Sequence, residues 1–246
     1  MPGAESFRAG AGEVGVLLCH GFTGSPASMR PWAGYLAERG YRVAVPRLPG
    51  HGTHWRDLNL TEWTDWYARA EQEFNILRRE CRQVFVTGLS MGGALALRLA
   101  QRYGADVAGL VLVNPAITSL DRTMRLLPLL SKAVASIKGI GNDIARGGDE
   151  IGYPRTPLKA ANSMMHLWAD VRDNLSRVDQ PILLFTSRVD HVVDPSSAAA
   201  IEAGVRSAEV ERVILERSFH VATLDHDDEL IFARSAEFLA RHTEPV

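Results

Sequence analysis

The chain has 246 residues, of which 46% are apolar and 23% charged, and its formal net charge is −2. That balance suits one domain of α/β size or two small ones, and bulk electrostatics suggests neither nucleic acid nor an anionic membrane surface as a partner. The 27 basic residues are 24 Arg and 3 Lys, scattered along the chain and not gathered into a phosphate-binding patch.

Residues 1–15 carry Glu5 and Glu13 and lack an apolar h-region, so no secretory leader is expected there. Residues 14–19 read as a strand, and 28–39 as a helix with Met29, Trp32 and Leu36 at helical spacing. A strand at 41–45 and a long helix at 63–79 follow, the latter opened by Thr61 with Asp65 nearby. Val84, Phe85 and Val86 form a short buried strand. The helix after it places Ala94, Leu95, Leu97 and Leu99 against Arg98, Gln101 and Arg102. Further strands are expected at 109–113, 181–186 and 211–215, with helices at 195–203 and 227–241. Strand and helix alternate throughout, which requires right-handed crossovers and a mostly parallel sheet covered on both faces.

Residues 119–170 break this rhythm, with no strand signal between two strands that should be neighbours. The stretch is apolar at first (Met124, Leu126, Leu127, Leu129, Leu130, Val134, Ile137) and then rich in turns up to Pro157. About 50 residues is long for a plain crossover. A small cap is expected, set over the carboxyl ends of the strands where α/β sheets bind ligands. The chain is thus read as a single domain over 1–246, with core 1–118 and 171–246 and the cap at about 119–170. A pair of crossover helices is the alternative. Met164, Met165, Leu167 and Trp168 are expected to be core packing, and the Leu126–Leu130 run, interrupted by Pro128, an exposed lipid-facing edge.

Gly88-Leu89-Ser90-Met91-Gly92 lies between the strand of Val84–Val86 and the following helix. A serine in G-x-S-x-G at a strand-to-helix turn is the nucleophile elbow of an α/β-hydrolase. A side chain at either glycine would collide with neighbouring backbone, whereas Gly lets the chain reverse with the Ser90 hydroxyl exposed. A serine needs a base, and this fold supplies it in the order Ser, Asp, His. Of eight histidines, His20, His51, His54 and His166 lie away from the loop after the last strand, and His191 precedes that strand. His226 and His242 bound the final helix, which leaves His220 as the base. Two aspartates follow the penultimate strand. Asp194 precedes Pro195-Ser196 and already serves as a helix cap, so Asp190 is assigned to orient His220. The oxyanion hole needs two backbone N–H groups, expected from Phe22 in the loop after the first strand and from Met91. His20 reads as a brace for that loop.

Cys19 and Cys81 cannot make a disulfide framework, and no Cys/His cluster has metal-ligand spacing. Two reduced thiols point to the cytoplasm. No metal or organic cofactor is required by this chemistry.

The motifs His20-Gly21-Phe22-Thr23-Gly24-Ser25-Pro26, Pro49-Gly50-His51-Gly52 and Gly88–Gly93 carry a wider likeness, with Ser187–Val193, Ser218–Asp225, and the cap segment Gly139–Ile144 with Tyr153-Pro154. Together they resemble the bacterial monoacylglycerol lipases of the Bacillus type, from about Gly15 to the C-terminus. The related thermophilic carboxylesterases share the core motifs, and the cap segment narrows the likeness to the lipase branch. The resemblance implies a serine esterase that splits monoacylglycerol into glycerol and fatty acid, with a cap over an apolar acyl tunnel. It also implies that Ile140 and Glu150 face the substrate, Glu150 near the glycerol hydroxyls. A solvated loop carboxylate is the alternative for Glu150. The expected partner is a small lipid ester, with transient contact between the cap and a lipid surface. A short- or medium-chain carboxylesterase, a thioesterase, a perhydrolase and an acyltransferase keep the same serine chemistry. A ligand sensor on the same scaffold is the remaining alternative.

Overall fold

The structure, a computed structural model, describes residues 1–139 and 141–244. In chain order the first elements are β1 (Phe7–Ala9), β2 (Val14–Cys19), α1 (Arg30–Glu38), β3 (Arg42–Val45), α2 (Trp55–Leu58), α3 (Trp63–Glu80), β4 (Gln83–Leu89), α4 (Met91–Tyr103) and β5 (Leu110–Val113). There follow α5 (Leu127–Ala133), β6 (Ser136–Lys138), β7 (Arg155–Pro157), α6 (Leu158–Asp173), β8 (Ile182–Ser187), α7 (Ser196–Gly204), β9 (Val210–Leu215) and α8 (Asp228–Arg241).

Seven strands form the main sheet in the order β1-β3-β2-β4-β5-β8-β9. All its pairings are parallel except that of β1 with β3 at the edge. β2 and β5 are buried at every position, as strands covered on both faces must be, and this is why they read as unbroken apolar runs. On one face α1 and α8 bring Trp32, Leu36, Ile231 and Phe238 against Val16, Val43 and Phe85. On the other, α3, α4, α6 and α7 pack Phe74, Leu95, Leu167 and Ile201 against Leu17, Val86 and Leu112. The fold is that of an α/β-hydrolase, with β4 near the centre delivering its carboxyl end to the elbow.

Four features differ from the sequence expectations. β1 is an added antiparallel edge strand of three residues, too short to show a period. The start of α3 is held at Glu62, whose N–H donates to Asp65 Oδ2 at 2.9 Å. Thr61 instead accepts a hydrogen bond from the Trp66 indole at 2.9 Å. The segment expected to hold no strand contains the antiparallel ribbon β6–β7, which pairs Ser136 with Pro157 and Lys138 with Arg155. Strands of three residues with Pro and charges in the pairs carry no alternation to read.

Residues 158–170, expected within the cap, form most of α6 and pack into the core layer. Met164, Leu167, Trp168 and Val171 are buried in the same cluster as Leu95 and Leu99. The Gln101 side chain donates to the Val171 carbonyl at 2.8 Å, and Arg98 pairs with Asp170 at 2.5 Å. Among the described residues no helix is long and apolar enough to cross a membrane.

Candidate active site

Ser90 joins β4 directly to α4 with φ +56° and ψ −119°, a conformation that L-residues adopt at a cost and that clusters at functional turns. Its neighbours explain how the turn is possible. A β-carbon at Gly88 would stand 2.2 Å from Gly92 C, and one at Gly92 would stand 2.0 Å from the Cys19 carbonyl oxygen. The Ser90 N–H donates to the Val113 carbonyl at 3.0 Å, and the Ser90 carbonyl accepts from Gly93 and Ala116 at 2.9 and 3.1 Å. The backbone of this strained residue is therefore fully held, and its side chain is nearly buried beneath the loop of Gly21.

Asp190 and His220 arrive from the loops after β8 and β9. His220 Nδ1 lies 2.8 Å from Asp190 Oδ2, and both side chains are nearly buried. Asp190 Oδ1 accepts from the N–H groups of Val192 and Val193, each at 2.8 Å. Burial opposes a charge on His220, but the hydrogen bond to Asp190 and the charges of Asp190, Glu150 and Asp143 outweigh it and raise its pKa above the ordinary value. Burial likewise raises Asp190, and the His220 bond with the Val192 and Val193 donors brings it below the usual carboxylate range. No hydrogen bond joins Ser90 Oγ to His220 among the described residues. Asp194, the rejected carboxylate, accepts from Ser196 N–H at 2.9 Å and Leu120 N–H at 2.8 Å, a structural task at the start of α7.

Asn114, directly after β5, links these loops and was not singled out in the sequence. Its Nδ2 donates to Ser187 Oγ at 2.9 Å and to the His220 carbonyl at 2.8 Å. Its Oδ1 accepts from Ser187 N–H at 2.7 Å. An asparagine closing an apolar strand run at the sheet's carboxyl edge is the signal that could have found it.

The loop after β2 passes over the elbow, with a β-carbon on Gly21 falling 3.4 Å from Ser90 Cβ. Met91 is the first residue of α4, where an N–H has no intrahelical acceptor. The Phe22 ring packs on His51 and Trp66 with centroids 6.3 and 5.8 Å away. Behind it His20 is fully buried, its Nδ1 bonded to the Gly21 carbonyl at 2.9 Å and its Nε2 accepting from Leu48 N–H at 3.2 Å. Both ring nitrogens serve backbone, as expected of a loop brace. Burial pushes its pKa down to about 4 despite the Gly21 bond. His51, also buried, is driven well below the ordinary value by burial and by His20 beside it.

The segment expected as a cap folds back onto the loops after β2 and β9. Tyr153 N–H donates to the Thr23 carbonyl at 2.9 Å, and its hydroxyl donates to the Gly50 carbonyl at 2.6 Å. Glu150 is 9% exposed, so it is not a solvated loop carboxylate. Its Oε1 accepts from Asn142 N–H at 3.1 Å, and its Oε2 comes within 3.1 Å of where a Gly24 β-carbon would stand. Burial raises its pKa against the Asn142 bond and the nearby His220. Ile140, the other cap residue expected at the substrate, lies outside the described residues.

A second cap contact also went unread in the sequence. Asp225 is fully buried and accepts from Phe219 and His226 N–H on its own side, and from Ala145 and Arg146 N–H on the cap, at 2.6 to 3.0 Å. Arg146 adds bonds to the Leu224 and Asp225 carbonyls and an ion pair with Asp228. Among the described residues no group of three or more His, Cys, Asp or Glu side chains has the arrangement of a metal site.

The chain is similar to known proteins over nearly its whole length. The family model described as "Serine aminopeptidase, S33" matches residues 13–227. The chain is 42% identical to the thermostable monoacylglycerol lipase of Bacillus sp. (strain H-257), over 98% of this chain and 96% of that protein. It is 30% identical to a carboxylesterase of Bacillus subtilis (strain 168), over 96% of each. A solved structure from work on LipS and LipT, two metagenome-derived lipolytic enzymes, is 41% identical with a TM-score of 0.95, over 98% of this chain and 99% of that one.

Proposed function

Because this chain belongs to the Serine aminopeptidase, S33 family of hydrolases and is a serine ester hydrolase acting on lipid esters, we propose that its substrate is monoacylglycerol, released as glycerol and fatty acid by a Ser90–His220–Asp190 triad. The observation that carries the triad is the His220 Nδ1 to Asp190 Oδ2 contact of 2.8 Å, which leaves Nε2 for Ser90. His220 takes the Ser90 proton as Oγ attacks the ester carbonyl, and the N–H groups of Phe22 and Met91 hold the oxyanion. His220 then protonates the departing glycerol, and a water activated in the same way hydrolyses the acyl-enzyme. Asp190 stays ionised and stabilises the imidazolium.

The alcohol half is assigned to Glu150, whose buried carboxylate can accept from glycerol hydroxyls. Ile140 joins it on the family resemblance alone. The acyl chain is assigned to the side of Phe22, which packs with Met124 and Met165 on the buried cluster of Leu127, Leu158 and Ala161. Leu120, Leu126, Leu129, Leu130, Val134 and Ile137 are exposed on one stretch that also carries Arg122, Arg125, Lys132 and Lys138. An apolar surface with a cationic fringe suits transient contact with a lipid surface. We place the enzyme in the cytoplasm, where Cys19 and Cys81 stay free thiols.

The test compares kcat/KM for a medium-chain monoacylglycerol with that for the methyl ester of the same acid. A preference for the glyceride that disappears in Glu150→Gln supports the assignment. Equal rates in the unaltered protein mean that only the acyl half is read, and the enzyme is then a general carboxylesterase. Loss of fluorophosphonate labelling in Ser90→Ala tests the nucleophile separately.

A further inference from the structure

His220 sits in irregular chain between β9 and a short 3-10 turn, so neither sheet nor helix fixes its backbone. Its N–H is taken by the cap, donating to Asp143 Oδ2 at 3.1 Å. The same oxygen receives the N–H of His191, the residue after Asp190, at 3.3 Å. Asp143 Oδ1 meets His191 Nδ1 at 2.8 Å, and the Asp143 carbonyl accepts from Val221 N–H at 3.0 Å. The Asp143 side chain is 11% exposed although it lies on the cap. One cap carboxylate thus grips both loops that carry the base and its orienting acid.

We propose that Asp143 is a positioning residue for catalysis: through the backbone of His220 and His191 it sets the base against Asp190, and its charge supports the imidazolium formed during the reaction. The proposal rests on the reading of His220 as the base. The charged groups around that ring are Asp190 from the loop after β8 and Asp143 and Glu150 from the cap. His191 faces Asp143, and Asp225 holds the neighbouring Phe219 N–H. All three carboxylates nearest the ring favour its charged form, which is the direction catalysis needs. The backbone grip matters for a different reason: displacing a catalytic group by about 1 Å can cost roughly 100-fold in rate.

The experiment uses the full chain and follows p-nitrophenyl butyrate hydrolysis from acid to alkaline pH in Asp143→Asn and Asp143→Ser. Asn keeps the shape and loses the charge, while Ser keeps a short acceptor for the His220 N–H. The expected result is a kcat lower by roughly 10- to 100-fold with KM nearly unchanged, together with an acid limb of kcat/KM displaced to lower pH. Thermal melting identifies folded protein, and whichever variant folds carries the test. Wild-type kcat and an unmoved limb overturn the proposal, and so does a lower kcat with the limb unmoved, which marks a mere strut. Ser90→Ala runs in parallel: activity there sinks the triad reading itself, whereas an inactive Ser90→Ala beside an unaltered Asp143→Asn sinks this inference alone.

Discussion

His220 Nδ1 lies 2.8 Å from Asp190 Oδ2, while the other oxygen of that carboxylate is held by the N–H groups of Val192 and Val193 at 2.8 Å each. The two backbone donors orient the carboxylate, so its free lone pair has one place to point. Replacing Asp190 by Asn keeps the volume but can present N–H to the ring and favour the wrong tautomer. A kcat loss of about 10³- to 10⁴-fold is expected. Asp194→Asn, which weakens only bonds to Ser196 and Leu120, is expected to lower stability by about 1 kcal/mol with kcat nearly unchanged. A larger kcat loss in Asp194→Asn than in Asp190→Asn would reverse the assignment.

In the proposed mechanism the same pair sets the pH dependence. There His220 must be neutral to accept the Ser90 proton, and its pKa is raised above 6.5. The acid limb of kcat/KM is therefore expected above pH 6.5 and displaced to lower pH in Asp190→Asn. For stability the signs are opposed. The raised His220 stabilises the fold below its unfolded pKa and loses that contribution as pH rises through the folded value. The lowered Asp190 stabilises above its unfolded pKa and loses its share as pH falls through the folded value. A limb well below pH 6.5 in the unaltered protein would contradict this field around His220.

Two glycines separate steric need from mere occurrence. A methyl at Gly92 would meet the Cys19 carbonyl oxygen at 2.0 Å, backbone that cannot yield without moving β2. Gly92→Ala is expected to destabilise by about 3 kcal/mol or more and to disturb the elbow. Gly34, inside α1, has no neighbouring atom within 4 Å of where an alanine methyl would stand, and no positive φ. Gly34→Ala is expected to stabilise by about 0.5–1 kcal/mol, raising Tm by about 1–4 °C. Melting curves of the two variants decide, and a stable Gly92→Ala would refute the steric account.

The parallel core was legible because β2, β4, β5 and β8 each carry an apolar run that is buried on both faces. Chain order around an elbow restricts the choices for the proposed Ser90, Asp190 and His220 triad, and the structure puts Ser90 at a strand-to-helix turn and Asp190 against His220. What escaped was held by single polar contacts between distant segments. Asn114, Asp143 and Asp225 act through bonds spanning 48 to 106 residues in sequence, and no period or local motif announces such a bond. The β6–β7 ribbon escaped because three-residue strands carry no alternation. Glu150 illustrates a further gap: only the family likeness put it at the substrate, its local pattern among Gly147, Gly148 and Gly152 leaves a solvated carboxylate equally open, and the return of the segment onto Gly24 buries it.

Asp225 is the second attachment of cap to core, and its loss should be felt as stability. Its carboxylate satisfies four backbone N–H groups, and these hold its pKa down against the burial that raises it. Asp225→Ala leaves buried donors unpaired, at about 1–3 kcal/mol for such a loss. Tm is expected to fall by about 3–10 °C. The effect should shrink toward acid pH, since a lowered carboxylate loses its contribution as pH falls through its folded pKa. A Tm difference independent of pH would show that the charge of Asp225 is not what holds the cap.

The exposed leucines give the last prediction, which separates catalysis from delivery of the substrate. Leu126, Leu129 and Leu130 are 56%, 69% and 45% exposed and contribute little to core packing there. Arg125 and Lys132 flank them, so an anionic lipid surface would meet both apolar and cationic groups. Leu126→Glu combined with Leu129→Glu is expected to leave hydrolysis of a soluble p-nitrophenyl ester within about twofold, since surface substitutions usually change stability by no more than about 0.5 kcal/mol. Binding to vesicles containing phosphatidylglycerol, followed by sedimentation, is expected to drop because burying each Leu on lipid contributes about 1.5–3 kcal/mol. Hydrolysis of monoacylglycerol dispersed in those vesicles should fall in parallel. Unchanged sedimentation in the double variant would show that this face has no part in reaching the lipid.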